Sequence, residues 1–279
     1  MLPATGEKGL TTMLPSGYKC DMPELFPYAG YEIPTDLIRL TGAGPETFGA
    51  IADHHIADLR ATVGLEPDHS ILEIGCGIGR DAIPLTGILS AAGSYLGVDI
   101  IKPSIDWCKA NIEARWPNFR FIHFDVKDQL HNPSGTTSTL DIRLPVRDGS
   151  VDRIILWSVF THMLRPDITR YLREFRRVIK PTGLIFATCF LVDEETLASA
   201  RRTNATPWNL MFYHKYEPGC FINDPVHPLG AVAYTSDALD HMVSEGGLVW
   251  DRPIEKGTWS GLVNTRHSQD ILVVRAPAS

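Results

Sequence analysis

Short apolar runs alternate with amphipathic stretches through the middle of this 279-residue chain, and that alternation is the feature that most constrains its fold. The apolar runs have the length of buried strands, and the stretches between them have helical spacing. Strands separated by helices pair in parallel through right-handed crossovers. The predicted strands are Ser70–Ile74, Tyr95–Asp99, Phe119–Asp125, Asp152–Ser158 and Leu184–Leu191. The sequence therefore predicts a doubly wound α/β fold with a mostly parallel sheet.

Helical periodicity and helix-ending residues predict the remaining elements. The predicted helices are 46–63, Arg80–Ala92, Ser104–Trp116, a helix that ends at Lys180–Gly183, Glu194–Arg202, and a last one capped by Ser236 that runs to about Glu245. Two late strands, Leu248–Arg252 and Asp270–Arg275, have no helix between them, which predicts an antiparallel pair at the sheet edge.

Four segments follow from this pattern. Residues 1–45 are rich in Pro and Gly and predict a wrap or lid over the core, which occupies residues 46–191. Residues 192–247 contain an irregular aromatic stretch too long for a plain connection, and they predict a cap inserted over a substrate site. Residues 248–279 complete the sheet with the strand pair.

Composition restricts the partners and the compartment. The net charge is −7 without a basic stripe, which argues against a nucleic-acid partner. No apolar run is long enough to span a membrane, and the N-terminus lacks an apolar core of signal-peptide length. The five cysteines include no C-x-x-C pair, so neither a disulfide framework nor a zinc site is expected. These features predict a cytoplasmic protein and leave the oligomeric state open, with a homodimer as one alternative.

A glycine-rich loop after the first strand is the strongest local motif. It runs Glu73-Ile-Gly-Cys-Gly-Ile-Gly-Arg80, where glycines allow sharp turning and close approach of a ligand to the main chain. The spacing is G-x-G-x-G, one residue shorter than the dinucleotide fingerprint G-x-G-x-x-G. The acid before the glycines would be costly beside a pyrophosphate, but it suits a cationic ligand group. A plain tight turn is the alternative.

Two further acids follow the second and third strands. Asp99 can accept hydrogen bonds from a ribose diol, or it can cap the following helix. Asp125, with Val126, can contact an adenine, or it can be a turn residue. Together with Glu73 these acids lie at the carboxyl ends of adjacent strands, where open α/β sheets bind ligands.

The ordered motifs resemble those of the class I S-adenosylmethionine-dependent methyltransferases. The matching segments are ILEIGCGIGR, YLGVDI, FIHFDV, LPVRDGSVDRIILWSVFTHML and YLREFRRVIKPTGLIFATCFL. The resemblance implies a seven-stranded Rossmann-like sheet with its last strand antiparallel, and S-adenosylmethionine as the cofactor. For the methionine part of the cofactor, it implies contacts from Glu73, Gly75, Cys76, Gly77 and Gly79. It implies that Asp99 and Ile100 hold the ribose and adenine, and that Asp125 and Val126 flank the adenine. It also implies that Trp157 and Ser158 line the acceptor side. Arg80 either pairs with the cofactor carboxylate or is a solvated first-turn arginine.

The acceptor side carries the candidate catalytic group. His162 lies just beyond the fourth strand, where it either acts as a general base or bonds to backbone at a helix start. Tyr213, His214 and Trp259 are candidates for an acceptor pocket, with a satellite core under the cap as the alternative.

The sequence shows no metal constellation, so no metal is predicted. The predicted function is methyl transfer to oxygen or nitrogen of a small-molecule acceptor. A non-catalytic S-adenosylmethionine-binding protein and a nicotinamide-dependent oxidoreductase are the alternatives.

Overall fold

A seven-stranded sheet lies at the centre of the computed structural model, which describes residues 23–128 and 131–278. In chain order the strands are β1 (Leu25–Tyr28), β2 (Tyr31–Pro34), β3 (Ser70–Ile74), β4 (Ser94–Asp99), β5 (Phe119–His123), β6 (Val151–Leu156), β7 (Ile179–Cys189), β8 (His214–Glu217), β9 (Cys220–Ile222), β10 (Val232–Tyr234), β11 (Val249–Trp250) and β12 (Asp270–Arg275). The α-helices are α1 (Thr35–Arg39), α2 (Pro45–Thr62), α3 (Ala82–Leu85), α4 (Lys102–Cys108), α5 (Arg165–Val178), α6 (Glu194–Thr203) and α7 (Ser236–Glu245).

The order of the central strands is β11-β12-β7-β6-β3-β4-β5. Strands β3 to β7 pair in parallel, whereas β12 runs antiparallel to both β7 and β11. The predicted doubly wound sheet with an antiparallel last strand is confirmed. The order reverses at β3, so the carboxyl ends of β3, β4 and β6 meet at the topological switch point, which is where such sheets bind ligands.

Helices cover both faces of the sheet, as buried parallel strands require. On one face, Leu72 and Ile74 of β3 pack into a core with residues of α5 and α7. On the other face, Ile71 packs into a second core with residues of α2, α3 and α4. The alternation along β3 therefore fixes which helices lie on each side of the switch point.

Two predicted helices are shorter or less regular than the sequence indicated. The helix predicted at Arg80–Ala92 is helical only over α3, because Pro84 and Gly87 do not sustain regular helix and the chain continues in turns. The second helix passes from α4 into a π-helical turn at Lys109–Glu113, where the Ala114 N–H donates to the Lys109 carbonyl oxygen at 3.2 Å.

Other boundaries also differ. Helix α5 ends at Val178, and the predicted stop residues Lys180–Gly183 lie inside β7, which begins where Ile179 pairs with Val151. The predicted cap Ser236 is the first helical residue of α7. The side chain of Thr235 caps this helix by accepting a hydrogen bond from the Ala238 N–H.

The segment after β7 is more ordered than the irregular stretch that the sequence indicated. It contains α6 and a three-stranded antiparallel sheet in the order β10-β9-β8. The N-terminal hairpin β1–β2 and α1 precede α2, and the first 22 residues of the predicted wrap lie outside the described residues. Within the described ranges, none of the helices combines the length and apolarity that crossing a membrane would need.

Candidate functional site

The glycine loop leaves β3 in a conformation that favours glycine at three positions. Gly75, Gly77 and Gly79 have φ values of 77°, 52° and 78°, in the left-handed region that other residues rarely adopt. The N–H of Gly75 donates to the carbonyl oxygen of Val98 at 2.8 Å, which ties the loop to the end of β4. The Cys76 side chain is buried in the core, so this residue contributes its backbone to the loop. The sequence motif and the local geometry therefore agree.

Asp99, at the end of β4, connects the glycine loop to the start of α4. One carboxylate oxygen accepts from the Gly77 N–H at 2.7 Å, and the other accepts from the Ile101 N–H at 2.7 Å. Burial raises the pKa of Asp99, while these two backbone donors act to lower it. Each carboxylate oxygen has a second lone pair, so the same group can accept from a ribose diol without losing its backbone partners.

Glu73 is buried directly before the glycines. Its carboxyl accepts a hydrogen bond from the Tyr95 hydroxyl at 2.6 Å. Burial raises the pKa of Glu73 well above its ordinary value, and the negative charge of Asp81 raises it further. A cation that approaches this carboxyl would stabilise its ionised form and would lower its pKa.

Sequence reasoning did not identify Asp81 or His55 as a site residue. The His55 Nδ1 lies 3.0 and 2.9 Å from the two carboxylate oxygens of Asp81, across 26 residues of chain. The His55 ring stacks on Trp157 at a centroid distance of 3.7 Å. Burial lowers the pKa of His55, while the Asp81 carboxylate acts to raise it. This arrangement fixes the orientation of Trp157 at the end of β6.

Buried donors without acceptors show that the site suits an anionic group next to these acids. The Trp157 Nε1 and the Arg80 Nε are both buried and have no hydrogen-bond partner. The Arg80 side chain is only 16% exposed, so the alternative of a solvated arginine does not apply. Arg80 Nη1 donates to the Thr41 hydroxyl, and Arg80 Nε lies 4.0 Å from Asp81. A ligand with a carboxylate and an ammonium on one carbon matches this mixture of free donors and buried acids.

The residues predicted to contact the adenine differ in their burial and in their hydrogen-bond partners. Ile100 is half-buried, and Val126 is buried in the core. The carboxylate of Asp125 accepts from the Thr136 hydroxyl at 2.6 Å and from the Asn132 amide at 3.1 Å, and these bonds lower the pKa of Asp125. It therefore braces the following loop, as the turn alternative expects, and its contact with an adenine stays a prediction.

Ser158 sits at a constrained position after β6. Its φ is 57°, and its N–H donates to the Thr188 hydroxyl at 2.8 Å. The Gln269 amide donates to the Ser158 hydroxyl at 2.8 Å, across 111 residues of chain. These bonds join the chain just after β6 to the end of β7 and to the residue that precedes β12. No sequence pattern pointed to Thr188 or Gln269.

His162 lies in a short 3₁₀ turn after Ser158. Its Nδ1 is 2.9 Å from the carbonyl oxygen of Leu229, between β9 and β10 in the predicted cap, so Nδ1 carries the proton and donates it. Burial lowers the pKa of His162 below 6.5, which leaves Nε2 with a lone pair near neutral pH. The structure shows the backbone-bonded alternative, and a role of His162 as general base stays a prediction.

The three predicted acceptor-pocket residues lie in different environments. Tyr213 is 63% exposed, with the Arg201 guanidinium 4.6 Å from its ring centroid, and His214 is exposed on β8. Trp259 is 3% exposed and packs between Phe190 and Phe212. The prediction that Trp259 lines an acceptor pocket is therefore wrong. It belongs to a satellite core under the cap, where its ring is enclosed and its Nε1 donates to Asp270.

The strand order and the glycine loop at the switch point are those of a Rossmann-like domain. A family model described as "Methyltransferase domain" matches residues 71–183. The chain is 28% identical over 132 residues to an arsenite methyltransferase from Aquipseudomonas alcaligenes, an alignment that covers 47% of this chain and 36% of that protein. Residues 71–183 thus form a methyltransferase domain with the fold of S-adenosylmethionine-dependent methyltransferases, whose cofactor is S-adenosylmethionine.

Solved structures share the fold at low sequence identity. A methyltransferase of Haloferax volcanii, in complex with the Trm112 methyltransferase activator, has a TM-score of 0.52 at 16% identity over 83% of this chain and 93% of that one. A geranyl diphosphate C-methyltransferase from Streptomyces coelicolor A3(2) has a TM-score of 0.51 at 14% identity over 86% and 84% of the two chains. The chain spans about a third of the length of the curated relatives that head its matches, 36% and 35%. The names of these proteins indicate different acceptors, so no acceptor is assigned to this chain from them.

Proposed function

We propose that this protein transfers the methyl group of S-adenosylmethionine to the oxygen or nitrogen of a small-molecule acceptor. The observation that carries the proposal is the buried constellation at the switch point. The carboxyls of Glu73, Asp81 and Asp99 are buried near Arg80, and Trp157 stacks on the His55 ring that contacts Asp81. Arg80 Nε and Trp157 Nε1 are buried donors that have no acceptor. Such a constellation suits a ligand that is cationic at sulfur and nitrogen and anionic at its carboxylate.

The proposed roles follow from the position of each group. Glu73 faces the cationic part of the methionine moiety, while Arg80 and Trp157 donate to its carboxylate. Asp99 accepts from the ribose hydroxyls. When bound, the cofactor supplies a methyl group already activated by the positive sulfur, so the protein chiefly aligns the acceptor and excludes water.

His162 is the proposed general base. Its Nδ1 is held by the Leu229 carbonyl, so the ring is oriented and Nε2 can take the proton of an acceptor hydroxyl or ammonium. Leu229 lies in the segment between β9 and β10, so the cap positions the base from outside the central sheet. Tyr213 and His214 stay candidates for acceptor contacts on the exposed surface of the cap.

Calorimetry with S-adenosylmethionine and with NAD, followed by incubation with labelled cofactor and fractionated small-molecule extracts, tests the proposal. We expect binding of S-adenosylmethionine and its demethylated product, no binding of NAD, and label transfer to an extract fraction. Binding without transfer to any fraction would favour a non-catalytic binding protein. Binding of NAD alone would favour the oxidoreductase. The cytoplasmic location and the absence of a nucleic-acid partner stay predictions from the sequence.

Replacing His162 with glutamine should lower kcat by about 10²–10⁴-fold, the usual contribution of a positioned general base. Because His162 touches the cap and not the predicted cofactor groups, the dissociation constant of S-adenosylmethionine should not change. Burial lowers the pKa of His162, so the wild-type rate should rise with pH along an acid limb centred below about 6.5 and stay level above it. Initial-rate assays with the identified acceptor at a series of pH values measure the change in kcat and the pH profile.

A matched control is His241→Gln, which changes an exposed histidine on α7. It should leave kcat and the pH profile as they are in the wild type. If His162→Gln retains full kcat and the acid limb, the base is a different group.

A further inference from the structure

A second cluster of metal-ligating side chains lies outside the cofactor site. It consists of His54 and Asp58 of α2 and of His267, just before β12, and is called here the α2–β12 cluster. His54 Nε2 lies 3.2 Å from Asp58 Oδ2, and His267 Nδ1 lies 2.7 Å from the same oxygen. The ligand atoms of all three side chains lie within 4.8 Å of one another. Two imidazole nitrogens therefore converge on one carboxylate oxygen.

The position on α2 separates this cluster from the cofactor site. His54 and Asp58 are four residues apart and share a helix face. His55 lies on the adjacent face, towards Asp81 and Trp157. His267 reaches the cluster across 209 residues of chain, which explains why the sequence alone indicated no metal constellation.

Outer partners hold the ligands in place. Glu255 Oε2 lies 3.3 Å from His267 Nε2, the ring nitrogen that faces away from Asp58. Arg266 Nε lies 2.9 Å from Asp58 Oδ1, and 3.5 Å from His267 Nε2. Asp58 Oδ1 accepts no aligned hydrogen bond, although Asp58 is only 1% exposed. A metal-ligating histidine usually donates its second ring N–H to a carboxylate, and Glu255 is placed to accept from His267 Nε2 in this way.

We propose that the α2–β12 cluster binds one divalent transition-metal ion such as Zn²⁺, through His54 Nε2, Asp58 Oδ2 and His267 Nδ1. Zinc bonds of about 2.0–2.1 Å place tetrahedral ligand atoms roughly 3.3 Å apart. The observed separations from Asp58 Oδ2 are 3.2 and 2.7 Å, and the two imidazole nitrogens lie within 4.8 Å of each other, so side-chain adjustment is needed to bring all three to that geometry. The mixed imidazole and carboxylate donors favour a transition ion over Ca²⁺ or Mg²⁺.

The charge and exposure of the cluster are compatible with an ion. Asp58 and Glu255 are negative and Arg266 is positive, so the surroundings carry one net negative charge apart from the imidazoles. The His54 side chain is 40% exposed, which gives the ion a route from solvent and leaves the fourth position to water. An ion here would clamp α2, which carries His55, to the segment that leads into β12.

The experiment is calorimetric titration of ZnCl₂ into the full chain, without an affinity tag and freed of metal by a chelator, near neutral pH. We expect one ion per chain and a melting temperature that rises with Zn²⁺ concentration. His54→Ala should weaken binding at least tenfold without loss of the fold, because that side chain is partly exposed. Glu255→Gln should weaken it about 10–100-fold, as outer-partner changes do.

His241→Ala, on exposed α7, is the matched control and should bind Zn²⁺ as the wild type does. Cobalt substitution distinguishes the ligand type, because nitrogen and oxygen ligands give no thiolate charge-transfer band whereas a cysteine site does. An absence of stoichiometric binding, unchanged affinity in His54→Ala, or a thiolate band would each overturn the proposal. The first of these would leave the cluster as a polar bridge between α2 and β12.

Discussion

Replacement of Asp99 by asparagine is expected to weaken the binding of S-adenosylmethionine by at least about a hundredfold. In the proposed binding mode, the change removes two charge-assisted hydrogen bonds to the ribose diol, each with a contribution of roughly 1.5–3 kcal/mol. The cofactor-free protein should also lose stability, because an amide nitrogen would face one of the two backbone donors, Gly77 N–H or Ile101 N–H. A buried donor without an acceptor costs about 1–3 kcal/mol. Calorimetry and thermal melts measure the two effects.

Part of the stability loss should be offset. Burial raises the pKa of Asp99, so its negative charge already costs free energy in the folded state, and asparagine removes that cost. The matched control is Asp106→Asn, an exposed residue of α4 that pairs with Lys102. It should change neither affinity nor melting temperature. Wild-type affinity in the Asp99 variant would mean that the carboxylate only anchors the glycine loop.

The sequence was sufficient to predict the parts of the fold that local chemistry determines. The five parallel strands follow from apolar runs bounded by glycine and polar residues, and β12 was predicted at Asp270–Arg275, as observed. The turn-forming glycines were predicted because no other residue adopts their φ values easily. Because parallel strands end at the same edge of a sheet, the predicted strands alone placed Glu73 and Asp99 at one edge, and no tertiary contact was needed for that prediction.

Contacts between distant segments could not be predicted in the same way. The His55–Asp81 pair and the Ser158–Gln269 bond depend on which helix packs beside which strand. The small antiparallel sheet of the cap was missed because β8 and β9 are only 4 and 3 residues long and show no sustained alternation. Trp259 was misplaced for a related reason, because aromatic residues near a site have the same composition whether they line a pocket or fill a core.

Replacement of Glu73 by glutamine should have the opposite effect on stability to the Asp99 change, while it also weakens cofactor binding. Burial raises the pKa of Glu73 well above 4.5, so the folded state retains a proton that the unfolded state releases. The raised pKa thus costs no stability below the unfolded pKa of about 4.5, where both states are protonated, and the stability loss grows as the pH rises from there towards the folded pKa. Glutamine removes this cost, and its amide oxygen still accepts from Tyr95.

We therefore expect the melting temperature of the cofactor-free Glu73→Gln variant to exceed that of the wild type by at least about 2 °C near neutral pH, and the difference to vanish near pH 4. Affinity for S-adenosylmethionine should fall by about tenfold or more, because the neutral amide no longer attracts the cationic part of the ligand.

Proton release distinguishes this account from a simple packing effect. A cation beside Glu73 lowers its pKa, so binding to the wild type should release a proton, and the heat of binding should depend on the ionisation enthalpy of the buffer. That dependence should diminish in Glu73→Gln and persist in Glu66→Gln, which changes an exposed carboxylate. If the Glu73 variant were less stable at neutral pH and released the same number of protons, the acid before the glycines would be ionised in the free protein, and its interaction with the cofactor would need a different explanation.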